Sequence, residues 1–155
     1  MNVTKNLGHK VAPSTSRIRR KRLSALPANE QAALLAFVER LGARYGNDLR
    51  RVVLFGSKAR GDDDTKSDFD LLVVVRGVNH NYQMHWNEIV NIAWGIELTY
   101  GIVISLVVKD ETDYATMRQH RLLLARNIER DGIQLWTTKP GVPTSQSASP
   151  KHATT

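Results

Sequence analysis

Two short apolar runs separated by a polar loop constrain the fold of this chain most strongly. The runs are residues 52–55 and 71–75, and each has the length of one buried strand. The first run ends directly at Gly56 and Ser57, where the chain must turn sharply. Glycine lets the backbone approach a ligand closely, and the serine hydroxyl and nearby N–H groups can face phosphate oxygens near a helix start. The sequence therefore predicts two strands with a phosphate-binding turn between them.

Two aspartates open the second strand, and their spacing indicates a shared task. Asp68 and Asp70 stand two positions apart, so on a strand both side chains project from the same face. Two carboxylates on one face can hold a hard cation such as Mg²⁺ together. The alternative is a solvated pair at a strand end, although aspartate is disfavoured in strands. A phosphate-binding turn beside a carboxylate pair predicts metal-assisted attack on a nucleotide phosphate.

The excess positive charge of the chain is confined to its N-terminal part. The formal net charge is +7 over 155 residues. Residues 1–29 carry seven basic side chains and no acidic one, and the rest of the chain is neutral. We interpret residues 1–23 as a disordered basic arm that could bind nucleic acid or an acidic surface, or serve as a transit peptide. The arm does not define the function by itself.

Composition excludes several classes of site. The chain has no cysteine, which rules out disulfides, thiolate zinc sites and a cysteine nucleophile. Its longest apolar runs are far too short to span a bilayer. We therefore expect no membrane partner and a cytoplasmic location.

Helix and strand patterns alternate between two polar ends. We predict helices over residues 29–45, 57–60, 82–100 and 111–127, strands over 51–55, 68–75 and 102–108, and a short apolar segment over 133–136. The chain thus divides into the arm over residues 1–23, one folded domain over 24–136, and a disordered tail over 137–155. This order of elements predicts a small sheet covered by helices.

The segment over residues 55–75 resembles the signature of DNA-polymerase-beta-like nucleotidyltransferases, in particular their minimal nucleotidyltransferase (MNT) branch. The matching pattern is FGS-x-ARG, a short loop, and then SD-x-DLLV, and the resemblance extends over about residues 28–136. It implies an α/β (α+β) nucleotidyltransferase fold, with a small mixed twisted sheet and helices packed mainly on one face. It also implies Mg²⁺-dependent transfer of a nucleoside monophosphate, AMP from ATP being the expected case. Many such proteins pair with a helical HEPN protein as a toxin–antitoxin system, and some adenylylate that partner.

The resemblance assigns roles to individual residues. Gly56 and Ser57 would bind the β and γ phosphates of the nucleotide. Asp68 and Asp70 would be the catalytic residues that bind the metal ions. Arg60 matches the family's arginine after the turn, and would either contact phosphate or pair with the acidic residues near it.

The other charged residues of this region receive no role. Lys58 stands at a variable position of the family, so we expect it to be solvated. Residues 62–64 are most simply a hydrated acidic loop, although they could raise the local metal concentration.

One position departs from the family pattern. Complete members carry a third carboxylate on the next core strand, and the matching position here is Ser105. Serine brings no negative charge and is no base, and loss of a catalytic base costs about 10²–10⁴-fold in rate. Glu97 could substitute only if the fold directs it at the site. Asp110 and Glu111 lie beyond the end of the predicted strand.

Three functions remain open from the sequence. The first is a nucleotidyltransferase whose acceptor hydroxyl belongs to a partner protein or a dimer mate, with an aminoglycoside or a nucleic acid as further acceptors. The second is a catalytically weak, antitoxin-like module that neutralises a HEPN-type partner by occlusion, which Ser105 favours. The third is a nucleic-acid-binding module acting through residues 17–22. Because the turn and both aspartates are intact, we expect the first.

Overall fold

Helices and strands alternate along the part of the chain that the computed structural model describes, residues 13–62, 64 and 66–137. The helices are α1 (Pro13–Ala25), α2 (Ala28–Tyr45), α3 (Gly56–Arg60), α4 (Tyr82–Tyr100), α5 (Glu111–Gln119) and α6 (Leu123–Asp131). The strands are β1 (Leu49–Phe55), β2 (Phe69–Val75), β3 (Ile104–Asp110) and β4 (Ile133–Thr137).

The four strands form one mixed sheet in the order β3-β2-β1-β4. Strand β1 runs antiparallel to β2 and to β4, whereas β2 and β3 are parallel. Helix α4 connects β2 to β3 and supplies the long crossover that a parallel pair requires. Strand β3 lies at an edge of the sheet, so one side of its backbone has no neighbouring strand among the described residues.

Side chains of successive strand residues divide between the two faces of the sheet. The larger core lies on the face covered by α2 and α4, where Val52 and Leu54 of β1 meet the apolar stripe of α2. That stripe repeats at helical spacing, as Phe37 and Leu41 illustrate, and burial of each such side chain contributes about 1.5–3 kcal/mol. The smaller cluster on the opposite face includes Val53 and the α5 and α6 side chains packed against it.

This architecture confirms the predicted fold class: a small mixed α/β sheet with the longer helices packed on one face. The predicted strands over 51–55 and 68–75 correspond to β1 and β2, and the apolar segment over 133–136 forms β4. The third strand begins two residues later than predicted, at Ile104.

The predicted helix over residues 111–127 is wrong as a single element, because the chain breaks it into α5 and α6. Helix α5 ends at Gln119, and the chain turns through Arg121, whose φ of 52° is left-handed. Apolar residues continue at helical spacing on both sides of this turn, and no glycine or proline marks it. The pattern therefore could not reveal the break.

Residues 13–23, which the sequence analysis placed in a disordered arm, form most of α1 in the structure. Two contacts explain why a strongly basic segment is ordered. Leu23 packs against the main core, and Arg22 Nη1 donates a hydrogen bond of 2.9 Å to the carbonyl oxygen of Ala59 in α3. The rest of the predicted arm and tail, residues 1–12 and 138–155, lies outside the described residues.

Every helix in the described ranges falls short of the length or the apolar content that crossing a membrane requires.

Candidate active site

The turn between β1 and α3 contacts the carboxylate of Asp70 directly. Gly56 has a φ of 71°, and a Cβ placed on it would lie 2.1 Å from Oδ2 of Asp70. Only glycine fits this position, because any side chain would meet the carboxylate and the left-handed backbone would be strained. The phosphate-binding turn predicted from the sequence therefore lies against one of the two predicted metal ligands.

Ser57 is the second residue of α3, and it is partly buried. The first N–H groups of a helix have no acceptor within the helix, so they are available to an anion. The hydroxyl and these N–H groups lie immediately after Gly56, at the same end of α3. This end of the helix is suited to phosphate oxygens.

The two aspartates differ in exposure although they are two residues apart. Asp68 is exposed and immediately precedes β2, whereas Asp70 is the second residue of β2 and is half-buried. Burial raises the pKa of Asp70, and the negative charge of Asp68 raises it further. A hydrogen bond with Ser105 and the positive charge of Arg60 oppose this rise without cancelling it. The site therefore concentrates negative charge that its neighbours do not fully compensate.

This donor set fits a hard divalent cation. The two carboxylates and the hydroxyl of Ser105 are oxygen ligands of the kind that Mg²⁺ prefers. A cation between Asp68 and Asp70 would relieve the repulsion that raises the pKa of Asp70. Within the described part of the chain, no third histidine, aspartate or glutamate joins them in a group that could hold a metal.

Ser105 is the residue that the resemblance matches to the family's third carboxylate. In the parallel pair of β2 and β3, Ser105 lies directly opposite Asp70. Glu97 does not replace it, since its Oε1 accepts a 2.6 Å hydrogen bond from the backbone N–H of Ile104. Ile104 packs against the core on the α4 side of the sheet, whereas successive strand residues face opposite sides. Glu97 is thus held on the other face from Asp70.

The two remaining candidates, Asp110 and Glu111, lie at the far end of β3. Asp110 lies five positions after Ser105 along the strand, a distance of roughly 17 Å. Asp110 is buried and begins α5 as its N-cap, accepting a hydrogen bond from Thr112 N–H. Glu111 forms an ion pair of 3.0 Å with Arg50. Both carboxylates are therefore bound to groups outside the site.

Arg60 lies between the acidic loop and the carboxylate pair. Its Nε is 3.0 Å from Oδ2 of Asp62, and its positive charge acts to lower the pKa of Asp70. The sequence left two interpretations of Arg60 open, and the pairing with the acidic loop is present in the structure. In the same loop Asp64 accepts hydrogen bonds from Lys66 N–H and Ser67 Oγ.

Lys58 is buried, so the prediction that it is solvated is wrong. Its Nζ lies 3.3 and 3.4 Å from the two carboxylate oxygens of Glu30 in α2. The same ammonium group lies 4.8 Å from the ring centroid of Phe69, the residue between the two aspartates. Lys58 therefore ties α3 to α2 beneath the turn. Sequence reasoning missed it because Glu30 stands 28 positions away and nothing in the sequence links the two.

Comparisons with known proteins identify the family of the chain. The family model described as "Polymerase beta, Nucleotidyltransferase" matches residues 42–140. "Putative protein adenylyltransferase MJ0604" of Methanocaldococcus jannaschii is 35% identical over 83 residues, which are 54% of this chain and 76% of the relative. A second protein of that organism with the same description, MJ0141, is 41% identical over 64 residues, 41% of this chain and 63% of that protein.

Among solved structures, a toxin–antitoxin crystal structure with AMP-PNP has a TM-score of 0.46 and 22% sequence identity. The match covers 66% of this chain and 73% of that one. The family model spans well over half of the chain, which confirms the resemblance seen in the motif of residues 55–75. The chain belongs to the polymerase beta nucleotidyltransferase family and is a transferase of nucleotidyl groups.

Proposed function

We propose that this protein transfers AMP from ATP to a hydroxyl group of a partner protein, using Asp68 and Asp70 to bind Mg²⁺. The observation that carries the proposal is the contact between the turn and the carboxylate, where Gly56 leaves no room for a side chain beside Asp70. A triphosphate bound on this turn has its phosphorus atoms next to the carboxylate pair. ATP and a protein acceptor are supported by the relatives' description as protein adenylyltransferases.

Each residue of the site has a task in this proposal. Gly56 and Ser57 bind the β and γ phosphates through backbone N–H groups and the serine hydroxyl. Arg60 adds a positive charge beside the phosphates when it leaves Asp62. Asp68 and Asp70 hold Mg²⁺, which when bound neutralises the triphosphate and polarises the α phosphorus.

The reaction is a displacement at the α phosphorus. The oxygen of the acceptor hydroxyl forms a bond to this phosphorus, the bond from it to the oxygen bridging the β phosphate breaks, and pyrophosphate leaves. The hydroxyl proton passes to water, because Ser105 stands where a third carboxylate could accept it. We expect slow transfer for this reason, in the range that loss of a general base produces, about 10²–10⁴-fold.

A protein acceptor suits the surface next to the carboxylates. The carbonyl oxygen of Val103 accepts a hydrogen bond of 2.9 Å from Phe69 N–H, so Val103 lies beside the start of β2, and its side chain is 56% exposed. A large exposed apolar side chain near a site supports protein docking. A HEPN-type toxin, as the family resemblance implies, or a second copy of this chain would supply the acceptor.

The second candidate is an antitoxin-like module that neutralises its partner by occlusion without efficient transfer. Ser105 favours this candidate, since the described residues supply no third carboxylate to the site. Such a module would keep nucleotide binding on the turn but would not need Asp68 and Asp70 for neutralisation.

One experiment separates the two candidates. The purified protein is incubated with α-³²P-ATP, Mg²⁺ and the product of the neighbouring gene. The same reaction is run with Asp68→Asn/Asp70→Asn and, as a matched control, with Asp110→Asn at the other end of the strand pair. Label on the partner with wild type and Asp110→Asn, but not with the double variant, is the expected result.

Label that persists with Asp68→Asn/Asp70→Asn would contradict the proposed site. No label with any protein, together with neutralisation of the partner by the double variant, would support occlusion instead.

A further inference from the structure

Helices α1 and α6 place arginine side chains on one continuous surface around α3. Arg19 Nη2 of α1 lies 3.5 Å from the carbonyl oxygen of Glu129 in α6. Arg22, one turn further, bonds to the carbonyl oxygen of Ala59 in α3. Helix α3 itself packs against both α1 and α6. The segment carrying the phosphate-binding turn thus lies between two basic helices.

The lowered pKa of one carboxylate indicates that these cations lie near one another. The pKa of Asp131, the last residue of α6, is lowered first by its hydrogen bond from Arg130 and further by the charges of Arg60 and Arg22. Residues from α1, α3 and α6 therefore act on one acidic group. We call the cations at positions 19–22, together with Arg121, Arg126 and Arg130, the basic face.

Most of the basic face has no acidic partner. Arg20, Lys21, Arg121 and Arg126 are exposed, and none of the four forms an ion pair with a residue in the described ranges. Several arginines elsewhere in the described ranges do pair with a carboxylate, as the Arg76–Asp48 pair illustrates at 2.6 Å. Uncompensated charge is thus collected around α3.

The conformation of Arg121 is independent evidence that its side chain has a purpose outside the turn. Its φ of 52° favours glycine or asparagine, and an arginine there costs about 1–2 kcal/mol of backbone strain. Together with Arg126 and Arg130 it lines a depression of about 430 Å³. On the other side of α3, Lys21 and Arg22 line a cleft of about 740 Å³ that reaches Arg60.

We propose that the basic face binds the phosphate backbone of a nucleic acid and holds it beside the active site. Six of its seven cations are arginines, whose planar guanidinium groups bind phosphate oxygens in pairs. Two depressions, one lined in part by Lys21 and Arg22 and the other by Arg121, Arg126 and Arg130, suit a chain of regularly spaced phosphates better than one isolated anion, although Glu30, Asp64 and Glu129 also line them. Binding requires neither ATP nor transfer, so it is independent of the proposed reaction.

The test measures binding of the full-length protein to fluorescein-labelled oligonucleotides of about 20 nucleotides, RNA and DNA of one sequence, by anisotropy without ATP. We expect the affinity to fall steeply with salt, with a slope of about −0.7 for each phosphate contact on a single strand. Arg121→Asn/Arg126→Gln removes two contacts and should reduce the magnitude of that slope by about 1.4. Asparagine tolerates the left-handed backbone at position 121, so the variant should fold.

A matched control removes two positive charges from outside the basic face. Arg40→Gln/Arg76→Gln changes α2 and the end of β2, and it should leave the slope unchanged. If Arg121→Asn/Arg126→Gln fails to fold, Arg20→Gln/Lys21→Gln at exposed positions of α1 repeats the test independently.

Three results would overturn the proposal. They are no binding at about 50 mM salt, equal losses of binding in Arg40→Gln/Arg76→Gln and in Arg121→Asn/Arg126→Gln, and equally effective competition by polyglutamate of matched charge. The last result would identify an acidic protein surface as the ligand. Comparison of the RNA and DNA arms tells which nucleic acid binds more tightly.

Discussion

Asp70 and Asp110 lie at opposite ends of the paired strands β2 and β3, and their surroundings differ. Asp110 ends β3 opposite Val75, whereas Asp70 is near the start of β2 opposite Ser105. Burial acts to raise the pKa of Asp110, but hydrogen bonds from Thr112 and from the backbone of Asn79 outweigh it and lower the pKa. At Asp70 burial and the charge of Asp68 dominate, and the pKa is raised.

The difference shows what separates a structural carboxylate from a candidate metal ligand. Burial is greater at Asp110, yet its charge is stabilised because donors surround it. Asp70 is less buried, but a second carboxylate lies beside it and few donors do. Burial acts on both carboxylates, so the difference between them follows from the donors and charges beside each one.

The largest effect is expected where the turn meets Asp70. Gly56→Ala would place a Cβ 2.1 Å from the carboxylate, and we expect transfer to fall about 10³-fold, which corresponds to about 4 kcal/mol. Gly101→Ala is the matched control, because Gly101 has a similar φ of 68° but nothing within 4 Å of its Cβ position. Rates of label transfer and urea unfolding are measured for both. Equal loss of activity in the two variants would contradict a specific clash.

The next effect concerns the buried pair that supports the turn. Lys58→Met leaves the Glu30 carboxylate without this ammonium partner, and we expect the free energy of unfolding to fall by about 3 kcal/mol. Glu30→Leu/Lys58→Met removes both charges and should recover most of the loss. Urea denaturation measures both variants. If the single variant lost less than about 1 kcal/mol, the pair would not support the turn.

A smaller gain is expected from making the Ser105 position resemble a complete family member. Ser105→Asp adds a carboxylate opposite Asp70, and we expect the transfer rate to rise at least about tenfold. Asparagine has nearly the same shape as aspartate but no charge, so Ser105→Asn should give no gain in the transfer rate. Single-turnover label transfer compares the two, and equal rates would show that a third carboxylate is not what limits this enzyme.

The smallest effect is expected at the other end of the strand pair. Asp110→Ala removes the N-cap of α5 and should lower the free energy of unfolding by about 1 kcal/mol without changing the transfer rate, whereas Asp110→Asn keeps the cap. Because the folded pKa of Asp110 is lowered, its charge stabilises the protein above the unfolded pKa of about 3.9.

That stabilisation is lost as the pH falls through the folded pKa, so wild type should lose more stability on acidification than Asp110→Asn does. Urea unfolding at neutral pH and below the unfolded pKa of Asp110 measures the difference. Equal losses of stability in wild type and Asp110→Asn would mean that the charge of Asp110 does not contribute in this way.

The arrangement of the candidate site could be predicted from the sequence because its parts are local. A strand, a glycine turn and two aspartates at i and i+2 all fall within residues 49–75, and short-range geometry fixes how they meet. The resemblance placed Ser105 on the next core strand, and the structure pairs it with Asp70.

Two features that the sequence did not reveal depend on distant partners. Helix α1 is ordered by contacts made at Leu23 and Arg22, and Lys58 is buried because Glu30 meets it from another helix. Local sequence patterns do not show such long-range contacts. The break at Arg121 depends on a backbone conformation that no residue type in the sequence indicated.

The edge position of β3 bears on how this site can change over evolution. Ser105 is exposed, and its strand is bordered on one side only. A substitution there removes a hydrogen bond with Asp70, whereas a side chain at Gly56 would meet the Asp70 carboxylate itself. The family's third ligand position is therefore the one that drift can alter most cheaply in this chain, and a lineage could lose or regain it without rebuilding the fold.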